Sequence, residues 1–277
     1  MKLTPEEINF FKEEGYLIKR KVMDEALMAK ARDRLWDNKP LELDRNKPET
    51  WVGPIKAYKG KIDVKGDKSR DPIGKGNDGQ NFRWQFRSIG DEDWIVRMLA
   101  TDPSIWGMAE QVLGVGEVQS PDRIRGIYCT LPEGDIPLQP HRCHTDAHAF
   151  HLGVVGYIDD VPPDGGGFIV WPQSHRIFYY AYQTQHGNDH ADQYDECIEK
   201  FNQLPYVECH GEAGDIVFWH HRLAHTAGHN RLRVIRKAVL YDFRRVDLEE
   251  KMKEPPCEDM WRDWPGVQQS DTVSKVI

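Results

Sequence analysis

The spacing of apolar positions changes period along this chain. Thr4-Pro5-Glu6-Glu7 predicts a helix start, with Thr4 as N-cap, Pro5 in the first turn and Glu7 three positions after the cap. Ile8, Phe10 and Phe11 supply an apolar side, Gly15 ends the helix, and Tyr16-Leu17-Ile18 reads as a short strand. Leu27, Met28, Ala31 and Leu35 recur at helical spacing and predict a second helix from about Asp24 to Trp36. Further on, Phe82, Trp84 and Phe86 alternate with Arg83, Gln85 and Arg87, the two-residue period of a strand. Asp91 to Leu99 reads as a helix that resumes after Pro103 and runs to Leu113.

Short apolar runs then follow at 124–130, 154–158, 168–171, 216–219 and 234–243, separated by turns such as Pro162-Pro163-Asp164-Gly165 and Gly214-Asp215. This pattern predicts a mainly β chain with flanking helices, a double-stranded β-helix or jelly roll. Residues 37–81 fit neither period: Lys, Asp, Gly and Pro dominate around isolated Trp51, Ile55, Tyr58 and Ile62. Such a stretch is either disordered or a cover over a site. Residues 189–203 read as an exposed acidic helix inserted between strands, and the tail from Asp247 as packing across the outside. The expectation is one domain over 1–277: N-terminal helices at about 4–36, a covering loop at 37–81, core strands at 82–245, and a tail at 246–277.

Composition narrows the function classes. Apolar residues make up 39% of 277, with nine Trp, ten Tyr and ten Phe, enough for a sizeable core. A formal net charge of -8 disfavours nucleic acid and anionic membrane as partners, leaving a small-molecule substrate. No run approaches the roughly 18 apolar residues of a membrane span, and Met1-Lys2-Leu3-Thr4-Pro5 lacks the apolar core of a signal peptide. Cys129, Cys143, Cys197, Cys209 and Cys257 form no C-x-x-C pair and read as free thiols in a reducing compartment, so a cytoplasmic location is expected.

The candidate chemistry centres on His144-Thr145-Asp146. His and Asp two apart on a strand share a face, and His225, roughly eighty residues on, can join them from a neighbouring strand of a jelly roll. Two imidazoles and one carboxylate on one side of a metal leave positions open, the arrangement of non-haem Fe(II). Arg236 on the next strand is placed to hold the far carboxylate of a bound keto acid. A bare His-x-Asp arises by chance in a chain with twelve His, and His190/Asp192, in the charged insert, reads as solvated surface. His141, His148 and His151 are equally explained as core-edge histidines. His221 and His225 have zincin spacing, but Arg222 stands where that motif needs Glu, which excludes the zinc hydrolase.

Taken together, these residues resemble the phytanoyl-CoA dioxygenase family of Fe(II)- and 2-oxoglutarate-dependent oxygenases. Beyond His144-Thr145-Asp146, His225 and Arg236, the opening from Leu3 through Gly15-Tyr16-Leu17 is similar to the family's N-terminus. Gly166-Gly167 through Pro172-Gln173-Ser174-His175 is similar to its Asn-Gly…Pro-Gly-Ser-His stretch, with Gly at the usual Asn and Gln at the usual Gly. Gly214-Asp215…Phe218…His225…Asn230…Arg236 is similar to its C-terminal signature. The resemblance implies Fe(II) held by His144, Asp146 and His225, with 2-oxoglutarate and O2 as co-substrates. It also implies Arg236 as the keto-acid anchor in preference to Arg233, and hydroxylation with release of succinate and carbon dioxide. Gln139 and Thr145 are candidate keto-acid contacts, and Thr226 a support for them.

Residues 37–81 and 176–210 carry no resemblance, so substrate identity stays open. Arg83, Arg87, Arg125 and His148 are candidate substrate contacts, while His220 and His221 read as packing or surface. If the polar face of 82–87 turns inward, its guanidiniums favour a small polar or anionic metabolite. If the aromatic face does, an acyl chain fits, and a one-residue slip in register reverses the answer. Two alternatives share the pattern: the same site performing desaturation, ring closure or epimerisation, and a non-enzymatic cupin-like jelly roll binding metal or ligand.

Overall fold

The computed structural model describes residues 1–55 and 82–268. In chain order the elements are α1 (Pro5–Glu14), β1 (Tyr16–Lys19), α2 (Glu25–Leu35), β2 (Arg83–Phe86), α3 (Asp93–Leu99), α4 (Pro103–Leu113), β3 (Gly126–Thr130), β4 (Leu152–Tyr157), β5 (Phe168–Val170), α5 (Ser174–Phe178), α6 (Tyr194–Phe201), β6 (Val207–Cys209), β7 (Ile216–His220), β8 (His225–Ala227), β9 (Arg236–Phe243) and α7 (Leu248–Lys251). A six-stranded antiparallel sheet, in the order β1-β7-β4-β9-β3-β2, faces a three-stranded sheet, β6-β5-β8. This is the expected jelly roll with flanking helices.

Local chemistry sets the helix ends. Thr4 and Glu7 form a reciprocal capping box, Asp24 caps α2 through the Leu27 amide, and Gly15 ends α1 with φ +81°. A Cβ at Gly15 would also collide with the His175 ring at 2.4 Å, so the turn is closed to other residues on two counts. Gln173 holds a left-handed φ of 65°, the conformation that explains why glycine is usual there. Its amide and side chain both bond to Glu14.

Strand alternation sorts the core into layers. Ile216 and Phe218 face the helices α1–α4, while Val217 and Trp219 face the space between the sheets. Phe168 and Val170 meet them from β5, and Ile169 and Trp171 turn outward against Phe178, Tyr182, Tyr194 and Phe201. Gly153 on β4 lies against the Trp219 indole, where a Cβ would sit 2.2 Å from ring carbons.

Three expectations need correction. The disordered alternative does not hold for residues 37–55: Trp51 and Trp84 both pack on Trp36, at 5.7 and 5.6 Å, and Leu43 and Ile55 are buried in the main core. The remainder of that predicted loop lies outside the described residues. The acidic insert is only half exposed, since Tyr194 and Phe201 anchor α6. The tail does not lie merely across the outside, because Trp264 is buried against Phe11 and stacked on His220. Among the described residues no helix is long and apolar enough to cross a membrane.

Candidate metal centre

The first metal-type cluster is assembled by one pair of backbone contacts. The 141–151 segment is not a regular strand, but His144 pairs with His225, each amide donating to the other's carbonyl at 3.1 and 2.9 Å. The two imidazoles therefore lie side by side at the start of β8, their centroids 4.5 Å apart. Asp146 reaches the same point, its Oδ2 3.6 Å from His225 Nε2. Ligand atoms of all three lie within 4.8 Å of one another.

The proton positions decide what fits between them. His225 Nδ1 donates to the Leu223 carbonyl at 2.9 Å, so its Nε2 presents a lone pair. That lone pair faces a carboxylate oxygen, and two acceptors converging without a proton between them suit a cation. Burial works against ionising Asp146, but Arg125, His225 and His148 together hold its carboxyl below the usual range. Surrounding protein and then His225 push His144 down to about 4, although its ring edge opens to the cleft. His225 is lowered mainly by burial. All three donors are thus in ligand-competent form at neutral pH, and the set fits a divalent metal with open positions.

A cavity of about 290 Å³ adjoins these ligands between the two sheets, walled by Val155, Phe168, Trp219 and Leu240. Arg236 enters it from β9 and Arg83 from β2, and Thr226 also lines it. Arg236 donates from Nε to the Gly166 carbonyl at 2.8 Å. Arg83 donates to Thr130 Oγ1 at 2.5 Å and to the Ala227 carbonyl at 3.0 Å. Burial, then the like charge of Arg236, pulls Arg83 down to about 10, as expected for two cations sharing one chamber. Arg233 is exposed and lies before the strand begins.

A second cavity, about 740 Å³, lies on the other side of Asp146. Arg87, Arg123, Arg125, His148, Tyr128 and Tyr241 are among its walls. The β2 register, Arg83 opposite Thr130 and Gln85 opposite Tyr128, turns the polar side of 82–87 to these cavities, and Trp84 and Phe86 to the helical core.

The remaining candidates fall elsewhere. Thr145 is buried away from both cavities and bonds the hydroxyls of Tyr182 and Tyr194 at 2.5 and 3.0 Å. Gln139 is exposed and touches the region only through its carbonyl, which accepts from His229 at 2.8 Å. His190 is exposed and stacks on Tyr194 in the turn before α6, so it is not helical as expected.

His220 and His221 are not surface histidines. With His151, His175 and His186 they form a buried chain of rings. Half of its nitrogens meet the backbone, while His151 Nε2, His175 Nδ1, His220 Nε2 and His221 Nδ1 are buried without a hydrogen-bond partner among the described residues. His186 Nδ1 and His221 Nε2 donate to carbonyls, while His151 and His220 Nδ1 accept from amides. Sequence reasoning missed this cluster, as well as Asp242, which grips Arg125 across the second cavity. Neither leaves a spacing signal, since both depend on contacts between distant strands.

Residues 126–238 match the sequence model of the phytanoyl-CoA dioxygenase (PhyH) family. No curated protein matches the chain. Among solved structures, the non-heme alpha ketoglutarate dependent carbocyclase SnoK from nogalamycin biosynthesis is 19% identical, with a TM-score of 0.57 over 93% of this chain and 94% of that one. EctD from S. alaskensis, with 2-oxoglutarate and 5-hydroxyectoine, is 15% identical with a TM-score of 0.52, covering 89% and 77%. The epimerase SnoN, in complex with Fe3+, alpha ketoglutarate and nogalamycin RO, is 19% identical with a TM-score of 0.51, covering 86% and 82%. The matched stretch runs from the start of β3 into β9 and spans His144, Asp146, His225 and Arg236, so over these residues the chain is similar to the phytanoyl-CoA dioxygenase family.

Proposed function

We propose that this protein is an Fe(II)- and 2-oxoglutarate-dependent dioxygenase that hydroxylates a small polar or anionic metabolite, releasing succinate and carbon dioxide. One observation carries the reading: three ligand atoms within 4.8 Å of one another open into a cavity that also receives Arg236 and Arg83. A dicarboxylic keto acid matches such a chamber, with one acid end toward the metal and the other toward guanidinium.

His144, Asp146 and His225 would hold the iron, which supplies the oxidising chemistry when keto acid and O2 are bound. The chain's own residues do the rest. The Leu223 carbonyl fixes the His225 tautomer, so that Nε2 is the ligating atom. Arg236, steadied by Gly166, receives the distal carboxylate in a dry site, and Arg83 adds a second cation beside it. The walls of Phe168, Trp219 and Leu240 keep bulk water from the reacting end. Arg87 and Arg123, in the larger cavity, favour a carboxylate or phosphate on the substrate. Among the described residues, no apolar groove for an acyl chain lines that cavity.

The test is succinate release from a panel of small acids and a panel of acyl-CoAs, with product mass measured for each active compound. Stimulation by small acids, weakened in Arg87→Ala, supports the reading, and gain of one oxygen identifies hydroxylation. Stimulation by long-chain acyl-CoAs alone, unaffected by Arg87→Ala, overturns the substrate class. Loss of hydrogen without gain of oxygen assigns desaturation or ring closure to the same site.

A further inference from the structure

The carboxylate of Asp146 has two claimants. Its Oδ2 lies 3.6 Å from the lone pair of His225 and accepts from Arg125 Nη2 at 2.9 Å. Arg125 is a poorly solvated cation: its guanidinium lies over the faces of Phe150 and Trp219, at 5.8 and 5.9 Å, with a fifth of the side chain exposed. A cation so placed needs a counter-charge. If Asp146 supplied the whole of it, the ligand carboxylate would be committed to an ion pair, and a metal would have to break that pair to bind.

Asp242, on β9, changes the balance. It takes Arg125 in a two-point grip, from Nε at 2.7 Å and from Nη2 at 2.6 Å, against the single contact made by Asp146. Bidentate pairs of this kind are the stronger ones. His148 joins the same latch, its Nε2 2.9 Å from Asp242 Oδ2 and 3.1 Å from Arg125 Nη2. One guanidinium thus stands between two carboxylates, leaving one net negative charge, and the geometry places that charge at Asp146 beside the two imidazoles. The three groups Asp146, His148 and Asp242 themselves form a metal-type cluster, but Arg125 already fills it.

We infer that Asp242 is a positioning residue for the metal: by neutralising Arg125 through a two-point ion pair, it frees the Asp146 carboxylate to serve as a ligand. Asp242 acts through Arg125 and is not itself a ligand. This inference rests on the metal reading given above. It goes beyond that reading in assigning a role to a residue outside the ligand set, and in predicting that a defect at Asp242 is cured by removing its partner.

The test uses metal-free full-length protein and anaerobic Co(II) titration, read as visible ligand-field absorbance, so no turnover is involved. Asp242→Asn is expected to weaken Co(II) binding by about 10–100-fold, the usual size of an outer-shell effect. Arg125→Gln alone removes a competing cation and should bind Co(II) at least as tightly as wild type. The double variant Asp242→Asn/Arg125→Gln should return to within about threefold of wild type, well inside that outer-shell range. A merely structural role for Asp242 predicts no such rescue. If the double variant is as weak as Asp242→Asn, or if Asp242→Asn binds like wild type, the inference is overturned. Should Asp242→Asn not fold, weakened binding by Arg125→Gln alone overturns it, since Arg125 would then be a holder of Asp146 and not its competitor. Failure of wild type to bind Co(II) would instead strike the metal reading itself.

Discussion

Arg83 and Arg236 flank Thr130 across three adjacent strands, so both guanidiniums leave the sheet on the same face and enter one cavity. Two like charges placed together in a low-dielectric chamber make an anion the natural occupant. Truncating one partner of a buried charged contact costs on the order of 2–5 kcal/mol. Arg236→Ala should therefore raise the KM for 2-oxoglutarate by roughly one to three orders of magnitude. Arg83→Ala should raise it too, and Arg233→Ala, at an exposed position, should leave it nearly unchanged. Steady-state succinate formation against keto-acid concentration checks all three. An effect at Arg233 equal to that at Arg236 would move the anchor.

The buried histidine chain makes the fold acid-labile. Burial holds His151, His220 and His221 well below the ordinary imidazole value, brings His186 to about 4 and His175 to about 3. Each is neutral in the folded state and titrates near 6.5 when unfolded. Their depressed folded values leave stability intact above pH 6.5. As pH falls below that, the unfolded chain takes up protons that the folded chain refuses, and stability drops toward the folded values. The slope is about 1.4 kcal/mol per pH unit for each such histidine. Urea unfolding of metal-free protein at pH 7.5 and at about pH 5.5 should show a loss of several kcal/mol. Equal midpoints at the two pH values would show that these rings are solvated.

Trp264 ties the end of the described chain to its beginning. It is 2% exposed, lies 5.9 Å from Phe11 and stacks on His220 at 5.0 Å. Trp264→Ala should cost about 3–5 kcal/mol, the range for deleting a buried aromatic ring. Thermal unfolding reads this directly, and a Tm within error of wild type would show that the C-terminal segment is only loosely applied.

Features governed by neighbours in sequence were legible from it. The Thr4–Glu7 capping box, the Gly15 stop and the alternation of Phe82 to Arg87 all follow from local backbone chemistry. Which face of that last strand turns inward was not, because it depends on the pairing of Arg83 with Thr130, far along the chain. The His144-Thr145-Asp146 spacing pointed to two of the three metal-type residues even though no strand forms there. Their convergence rests on a single bridge to His225. Contacts across the sheet were invisible. Arg125 lines both cavities, but its two-point contact with Asp242, more than a hundred positions away, leaves no trace in the sequence. The apolar residues of 37–55 read as isolated because Trp36 and Trp84, which they join, lie outside that stretch.

The central claim is that His144, Asp146 and His225 form an iron site open to a keto acid. The most direct measurement is anaerobic Fe(II) titration of metal-free wild type, His225→Ala and His190→Ala, followed by 2-oxoglutarate. The readouts are bound iron and the visible charge-transfer band of a chelated keto acid. Wild type and His190→Ala should retain about one iron per chain and develop the band, as expected for a single three-ligand site. His225→Ala should retain neither, while unfolding with a cooperative transition like that of wild type. A band of full strength in His225→Ala, or its loss in His190→Ala as much as in His225→Ala, would contradict the assignment.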